Sequence, residues 1–276
     1  MMAAMPMLSR RALFALSVRA GLTAAAVTAV TAPQAAAAPA PTYTTGTLRS
    51  AARGGATANW AIARPPGQDG PLRPVILLHG KDSSAADVMS MGVERFLAEA
   101  VGAGLPPFAM AAIDGGNGYW HRRASGDDSG AMVLDEFLPL LAEQGLDTSR
   151  VAFLGWSMGG YGALLLGSRL GAGRTAAICA VSPALWTSPG AAAPGAFDGA
   201  DDYRANSVWG LDELNRIPLR IDIGDDDPFA GATRQFIAQL ATPPAGGFSP
   251  GGHNGAFWSA QLTPQIRWMA PLLSAQ

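Results

Sequence analysis

Cysteine is almost absent from this chain of 276 residues. The single cysteine, Cys179, excludes an internal disulfide and any metal site built from several thiolates. It lies in the apolar run AAICAV, which predicts a small buried side chain rather than a reactive thiol. The sequence also has no H-E-x-x-H motif, no Cys/His cluster and no Gly-x-Gly-x-x-Gly motif opening a nucleotide-binding fold. We therefore expect no metal and no organic cofactor.

Charged residues are scarce as well. They make up 14% of the chain, the formal net charge is −2, and like charges form no long run. A partner such as nucleic acid or an anionic membrane surface is usually recognised by a basic patch. The composition therefore predicts neither partner, and no residue pattern indicates an oligomeric state.

The first forty residues have the composition of an export signal. Ser9, Arg10 and Arg11 precede an apolar stretch that runs through Thr31, and small residues suited to cleavage follow. The paired arginines resemble a twin-arginine signal, with a general secretory signal and an uncleaved membrane anchor as alternatives. No cysteine follows the apolar stretch, which excludes a lipoprotein. We expect residues 1–40 to be removed and residues 41–276 to act outside the cytoplasm, secreted or in the cell envelope, without stable membrane insertion.

Strand-like and helix-like segments alternate through the rest of the chain. Alternating residues around Arg53, Gly54 and Gly55 predict a hairpin over 44–64. Apolar runs predict further strands at 74–79, 108–113, 151–154, 176–181 and 219–223. Helical spacing predicts helices at 85–101, 132–141, 161–170, 229–240 and 256–273. This order predicts an α/β fold in one domain, with a mainly parallel sheet and helices on both faces.

A G-x-S-x-G motif places Ser157 between a predicted strand and a predicted helix. Gly155 and Gly159 flank the serine two residues to either side. In a nucleophile elbow, glycines at these positions relieve crowding where the strand turns sharply into the helix. An ordinary glycine-rich turn is the alternative, but the strand before and the helix after favour a nucleophile.

A serine hydroxyl needs a base to become a nucleophile, and the chain has three histidines. In α/β-hydrolases the chain order is serine, acid, histidine, and only His253 follows Ser157. It lies in a loop that opens the last predicted helix. His79 ends a buried strand, where we expect it to orient the adjacent turn. His121 lies in a polar loop, as a candidate substrate contact or a solvated residue.

The acid is expected after a late strand, between the serine and the histidine. The segment IDIGDDDPF supplies a strand, Gly224 and the three aspartates Asp225, Asp226 and Asp227. At least one carboxylate should hold the imidazole and stabilise its protonated form. The other two are expected to cap the helix that follows.

Two backbone N–H groups are expected to form an oxyanion hole. One belongs to Met158, directly after the candidate nucleophile. The second should come from the loop after the strand PVILLH, and Lys81 is the preferred donor. The lysine side chain itself is expected to be solvated.

These motifs occur in an order that resembles the esterase D-like group of α/β-hydrolases, which includes the secreted mycobacterial mycolyltransferases. The similar segments are GWSMGGYGAL, DEFLPLL, IDIGDDDPF and GGHNGAFW, and the resemblance spans 72–268. It implies an α/β-hydrolase fold, a triad of Ser157, Asp227 and His253, and oxyanion-hole donors at Lys81 and Met158.

The resemblance also bears on the substrate. The loop 115–123, which contains Tyr119 and His121, falls where the family contacts its substrate, and Trp186 is a further candidate contact. The chain has His79 before Gly80 where mycolyltransferases have an acidic residue, and it lacks an obvious long apolar segment for a lipid chain.

The leading hypothesis is a secreted serine esterase that hydrolyses a small-molecule, lipid or glycan ester through an acyl-enzyme on Ser157. The first alternative is an acyltransferase that passes the acyl group to a sugar or glycolipid hydroxyl. A non-catalytic binding protein on a hydrolase scaffold is the second alternative, and the intact serine, acid and histidine set argues against it.

Overall fold

Eight strands form one sheet in the computed structural model, which describes residues 43–275. The strands are β1 (Tyr43–Ser50), β2 (Ala56–Ala63), β3 (Pro74–Leu78), β4 (Ala109–Ile113), β5 (Val151–Trp156), β6 (Thr175–Val181), β7 (Leu219–Gly224) and β8 (Ala245–Ser249). Their order across the sheet is β1-β2-β4-β3-β5-β6-β7-β8. The first two strands form the predicted hairpin and join the sheet antiparallel, whereas all later pairs are parallel.

Apolar side chains explain why the central strands lie in the middle of the sheet. Every residue of β3, β4, β5 and β6 is buried, as expected for strands covered on both faces. Because successive side chains point to opposite faces, Ile76 and Phe153 contribute to one core while Leu77 and Leu154 contribute to the other. Cys179 belongs to this second core, and burial raises the pKa of its thiol.

Helices cover both faces, as the sequence predicts. They are α1 (Ala85–Ser90), α2 (Val93–Gly102), α3 (Ser129–Ala131), α4 (Leu138–Glu143), α5 (Met158–Leu170), α6 (Ala200–Ala205), α7 (Ala230–Ala238) and α8 (Gly255–Ser274). A π-helical stretch, Met132–Phe137, joins α3 to α4, and short 3₁₀ turns occur at Pro189–Ala191 and Asp212–Asn215. Residues of α1, α2 and α8 pack on one face, and residues of α4, α5 and α7 pack on the other.

The sequence prediction and the structure differ at several elements. Helix α6 was not predicted, and the first part of the helix predicted over 132–141 is π-helical. The single helix expected over 85–101 is divided into α1 and α2, because Gly92 adopts φ 85° and breaks the helical backbone. Strand β8 has no counterpart in the prediction. Its sequence AGGFS contains two glycines with positive φ and no alternating pattern, and it becomes a strand by pairing with β7.

The parallel strands bring their carboxyl ends to one edge of the sheet. The loops after β3, β4, β5, β6 and β7 therefore meet there, which is where open α/β sheets bind ligands. All described residues belong to one compact unit. Within residues 43–275, no helix is long and apolar enough to cross a membrane. The expected export signal over 1–40 lies outside the described residues.

Candidate active site

Ser157 lies on a strained turn between β5 and α5. Its φ and ψ are 56° and −115°, a conformation that residues with a side chain rarely adopt. The flanking glycines are required by space: a Cβ on Gly155 would lie 2.1 Å from the carbonyl oxygen of Gly159. A Cβ on Gly159 would lie 1.9 Å from the carbonyl oxygen of Leu78. The chain therefore turns sharply enough to present the serine hydroxyl at the sheet edge.

His253 lies beside this hydroxyl. Its Nε2 is 2.8 Å from Ser157 Oγ, and its Nδ1 is 2.8 Å from Asp227 Oδ2. With Asp227 ionised, Nδ1 carries the proton and donates to the carboxylate, which leaves Nε2 as the acceptor for the serine hydroxyl. The imidazole is packed between the rings of Phe229 and Trp258, at centroid distances of 5.3 and 5.2 Å. These contacts hold the ring in the plane that links the serine to the carboxylate.

Asp227 is the aspartate of the IDIGDDDPF segment that contacts the histidine. It is buried, and burial raises the pKa of its carboxyl. Interactions with His253, the Phe229 N–H and Ser182 lower the pKa, and together they outweigh the effect of burial. The pKa therefore lies below its ordinary value, and the group is a carboxylate at neutral pH. One carboxylate oxygen faces the imidazole, while the other accepts the Phe229 N–H at 2.9 Å.

The other two aspartates face solvent. Asp225 is exposed and its carboxylate lies 3.6 Å from Arg234, and Asp226 is exposed as well. The expectation that they cap the following helix is wrong. Helix α7 begins only at Ala230, and its first turn has no side-chain cap.

The expected oxyanion-hole donors lie on either side of the serine. Met158 is the first residue of α5, where the first N–H groups of a helix lack an intrahelical partner. Gly80 and Lys81 line the same cavity as Ser157, and a Cβ placed on Gly80 would lie 3.6 Å from the Ser157 Cβ. Within residues 43–275, neither the Met158 nor the Lys81 N–H donates a backbone hydrogen bond. The Lys81 side chain is largely exposed and pairs with Asp82.

A cavity of about 440 Å³ opens at the serine. Its walls are mainly apolar, and Ser83 and Asp87 add polar groups. The apolar lining consists of Val88, Met91, Trp156 and Trp258. Of these residues, Val88, Met91 and Trp156 were not predicted to belong to the site. Valine and methionine at helical spacing carry the same signal whether they line a cavity or fill a core.

The three candidate substrate contacts lie away from this cavity wall. His121 is fully buried, stacks on Phe197 at 5.2 Å, and contacts the carbonyl oxygens of Arg122 and Ala196. It is therefore neither solvated nor placed to touch a ligand in the cavity. Burial lowers the pKa of its imidazole.

The remaining two candidates form an aromatic support behind the histidine. Tyr119 is buried and packs against Trp186 at 5.6 Å, and Trp186 packs against Phe229 at 5.5 Å. Phe229 in turn contacts the His253 ring. Tyr119 and Trp186 therefore belong to the aromatic packing next to His253 and do not line the cavity at Ser157.

Ser182 is a further residue of this region that the sequence analysis did not identify. It follows β6, is fully buried and has φ 46°. Its Oγ accepts the indole N–H of Trp258 at 3.1 Å, and the Ser182 side chain contributes to the lowered pKa of Asp227. Ser-Pro after a strand resembles an ordinary turn, so no local signal distinguishes this serine.

The architecture around these residues is shared with solved structures. A ferulic acid esterase matches with a TM-score of 0.72 and 20% identity over 83% of this chain and 98% of its own. An S-formylglutathione hydrolase from Agrobacterium tumefaciens matches with a TM-score of 0.70 and 19% identity over 84% and 95%. A CE1 ferulic acid esterase from Anaeromyces mucronatus, solved with ferulic acid, matches with a TM-score of 0.65 and 18% identity over 85% and 92%. The chain has the α/β-hydrolase fold.

The predicted fold class is confirmed by these comparisons. No family model matches the sequence, and no curated protein matches it. Identities of 20% or less establish a common fold and not a common activity. The resemblance to mycolyltransferases in particular stays a prediction.

Proposed function

We propose that this protein is a serine hydrolase that cleaves carboxylic esters through an acyl-enzyme on Ser157. The observation that carries the proposal is the continuous hydrogen-bonded series from Ser157 Oγ through His253 to Asp227, with both bonds at 2.8 Å. This series begins at the floor of a cavity and ends at a buried carboxylate. Such an arrangement activates a hydroxyl for acyl transfer.

In the first half of the reaction, Ser157 Oγ attacks the carbonyl carbon of the ester. His253 Nε2 takes the hydroxyl proton, and Asp227 stabilises the resulting imidazolium through the Nδ1–H. The carbonyl oxygen becomes an oxyanion and accepts hydrogen bonds from the Met158 and Lys81 N–H groups. The carbonyl then re-forms, the C–O bond to the alcohol breaks, and His253 returns the proton to the leaving alkoxide.

In the second half, water takes the place of the alcohol. His253 removes a proton from the water as it attacks the acyl carbon, and the serine leaves with that proton restored. The products are the free acid and the free enzyme.

The cavity is suited to the acyl part of the ester. Its apolar walls gain free energy by removing a hydrocarbon or aromatic group from water. Two of the similar solved structures are ferulic acid esterases, so an aromatic acyl group is one candidate occupant. A long lipid chain would extend beyond a volume of about 440 Å³.

A panel of esters tests the proposal. p-Nitrophenyl esters of increasing acyl length and methyl esters of hydroxycinnamic acids are assayed with wild-type protein and with Ser157→Ala. We expect short and aromatic acyl groups to be hydrolysed and long chains to be poor substrates. Absence of Ser157-dependent cleavage across the panel would contradict the proposal and favour a non-catalytic binding protein.

The same panel separates hydrolysis from acyl transfer. An acyl-enzyme can react with a sugar hydroxyl as well as with water, so each ester is also assayed with trehalose or glucose at high concentration. We expect free acid as the product in both cases. An acylated sugar as the main product would show that the site transfers the acyl group to a hydroxyl acceptor instead of hydrolysing the ester.

We further propose that the chain is exported by its first forty residues, which contain Arg10 and Arg11 followed by an apolar stretch. The mature protein should then begin between Ala35 and Thr42. Intact-mass analysis of protein secreted by an expression host measures this directly. A full-length intracellular species as the only product would contradict export.

A further inference from the structure

Two side chains hold the loop after β3 in a fixed position beside the nucleophile. His79 Nδ1 lies 2.7 Å from the carbonyl oxygen of Gly80. Asn117 Oδ1 accepts the N–H of Asp82 at 2.8 Å, and its Nδ2 donates to the Asp82 carboxylate at 2.7 Å. Lys81, the residue between these contacts, is the expected oxyanion-hole donor.

The protonation of His79 follows from its partners. The N–H of Gly115 donates to His79 Nε2 at 2.9 Å, so this nitrogen is the acceptor. Nδ1 therefore carries the proton and donates it to the Gly80 carbonyl oxygen. His79 is buried, burial lowers the pKa of its imidazole, and the ring contacts Trp120 edge-on at 5.0 Å.

The contact with Gly80 determines where the Lys81 N–H points. The carbonyl of Gly80 and the N–H of Lys81 belong to one planar trans peptide unit, in which they point in opposite directions. Fixing the carbonyl toward His79 therefore directs the N–H away from it. The peptide unit that follows is fixed as well, because its N–H is bonded to Asn117.

Two residues of the loop after β4 support these contacts, because Gly115 binds His79 and Asn117 binds Asp82. Gly115 and Asn117 follow β4, whereas His79, Gly80 and Asp82 follow β3. Asp82 has φ 59°, so the turn that Asn117 holds is one that a non-glycine residue rarely adopts. Without the amide of Asn117, this turn would lose the contact that offsets its strain.

We propose that Asn117 and His79 are positioning residues of the oxyanion hole, which act by fixing the orientation of the Lys81 N–H. The proposal rests on the proposed function, because it assumes that Lys81 N–H receives the oxyanion. An oxyanion-hole donor is effective only when it already points at the developing charge. Loss of the contacts made by Asn117 or His79 should therefore reduce turnover more than it weakens substrate binding.

The test compares two asparagines that make the same kind of bond in different places. Asn117 and Asn215 are both exposed, and the Oδ1 of each accepts a backbone N–H of another loop at 2.8 Å. Asn215 lies near the amino end of β7, at the edge of the sheet opposite the candidate site. Asn215→Ala is thus a matched control for Asn117→Ala.

kcat and KM are measured with p-nitrophenyl butyrate, and melting temperatures are measured alongside. Complete removal of an oxyanion-hole donor costs about 10²–10³-fold in kcat, so a misaligned donor should cost about tenfold. We expect this loss of kcat in Asn117→Ala with KM within about twofold of wild type. Asn215→Ala should retain the wild-type kcat with a similar change in melting temperature.

His79→Phe provides a second variant, because it keeps ring volume against Trp120 and removes both nitrogens. We expect it to lose kcat as Asn117→Ala does. A wild-type kcat in Asn117→Ala, or an equal loss in Asn215→Ala, would overturn the positioning role and leave the proposed function intact. A wild-type protein that cleaves no ester would overturn the proposed function itself, and the positioning role with it.

Discussion

The turn that carries Ser157 and the turn that carries Asp227 follow parallel strands at the same edge of the sheet, but the local sequence defines the first more completely than the second. The Ser157 turn is fixed by steric contact between backbone atoms. Gly155, Gly159 and the end of β3 approach so closely that no side chain fits between them. The Ser157 N–H and carbonyl also hydrogen bond to Val181 and Ala184, but the glycines that the turn requires can be read from a short stretch of sequence.

The Asp227 turn is held by hydrogen bonds to a distant segment. The N–H groups of Asp225 and Asp226 donate to the carbonyl oxygens of Ser249 and Gly251, at 2.9 and 3.0 Å. These acceptors lie in β8 and in the loop that leads to His253, so the acid turn and the histidine loop are fixed together. This turn should tolerate changes to its exposed side chains, but it depends on its buried carboxylate and on Gly224, where a Cβ would lie 2.2 Å from the carbonyl oxygen of Gly251.

The largest expected effect is at the Ser157 turn itself. Ser157→Ala removes only the hydroxyl, leaves both glycines in place and should fold normally. We expect ester cleavage to fall by about 10⁴-fold or more, as for nucleophile deletions in serine hydrolases. Steady-state rates and melting temperature are measured together. Activity above a tenth of wild type would indicate another nucleophile.

The next largest effect distinguishes two adjacent aspartates. Asp227→Asn places an amide opposite His253 Nδ1 and favours the tautomer in which Nε2 cannot accept the serine proton. We expect turnover to fall by about 10³–10⁴-fold. Asp226→Asn changes an exposed carboxylate and should cost tenfold or less. The reverse order of damage in kcat would show that the acid is assigned to the wrong residue.

A smaller effect compares a glycine at a close backbone contact with a glycine that has free space around it. Gly159→Ala would bring a methyl group to 1.9 Å from the Leu78 carbonyl oxygen, and we expect a loss of about 3 kcal/mol or more in unfolding free energy. Gly231→Ala, on an exposed position of α7 with no atom within 4 Å, should instead stabilise by up to about 1 kcal/mol. Urea denaturation of both variants measures the contrast. Equal stability of the two would mean that the backbone relaxes around the added methyl.

The features that the sequence predicts correctly are those whose determining interactions are local. Ser157 was identifiable because strand, glycines and helix occur within a short stretch, and the sheet strands because they are continuous apolar runs. His253 was identifiable by elimination, since it is the single histidine after Ser157. Strand β8 was missed because its two glycines carry no pattern, and it is defined only by its pairing with β7.

Long-range contacts explain why the loop residues were hard to predict. The sequence predicted that His121 lies in an open polar loop. In the structure, the Arg123 guanidinium donates to both carboxylate oxygens of Asp198, and this contact holds the long loop 182–199 over His121. The result is a buried histidine stacked on Phe197. The position of the cavity could not be predicted from the sequence either. Trp156 and Trp258 are distant in sequence and face a common space only after α8 packs against the sheet.

The sequence by itself determined the alternation of strands and helices, the parallel sheet and the sharp turn at Ser157, because backbone sterics and apolar periodicity act over a few residues. Among Asp225, Asp226 and Asp227 it left the acid open until a family resemblance was added. The tertiary structure alone decided which carboxylate is buried beside His253, where the cavity lies and which contacts orient the peptide units around Lys81. These features depend on contacts between chain segments far apart in sequence, and only the packed fold fixes those distances.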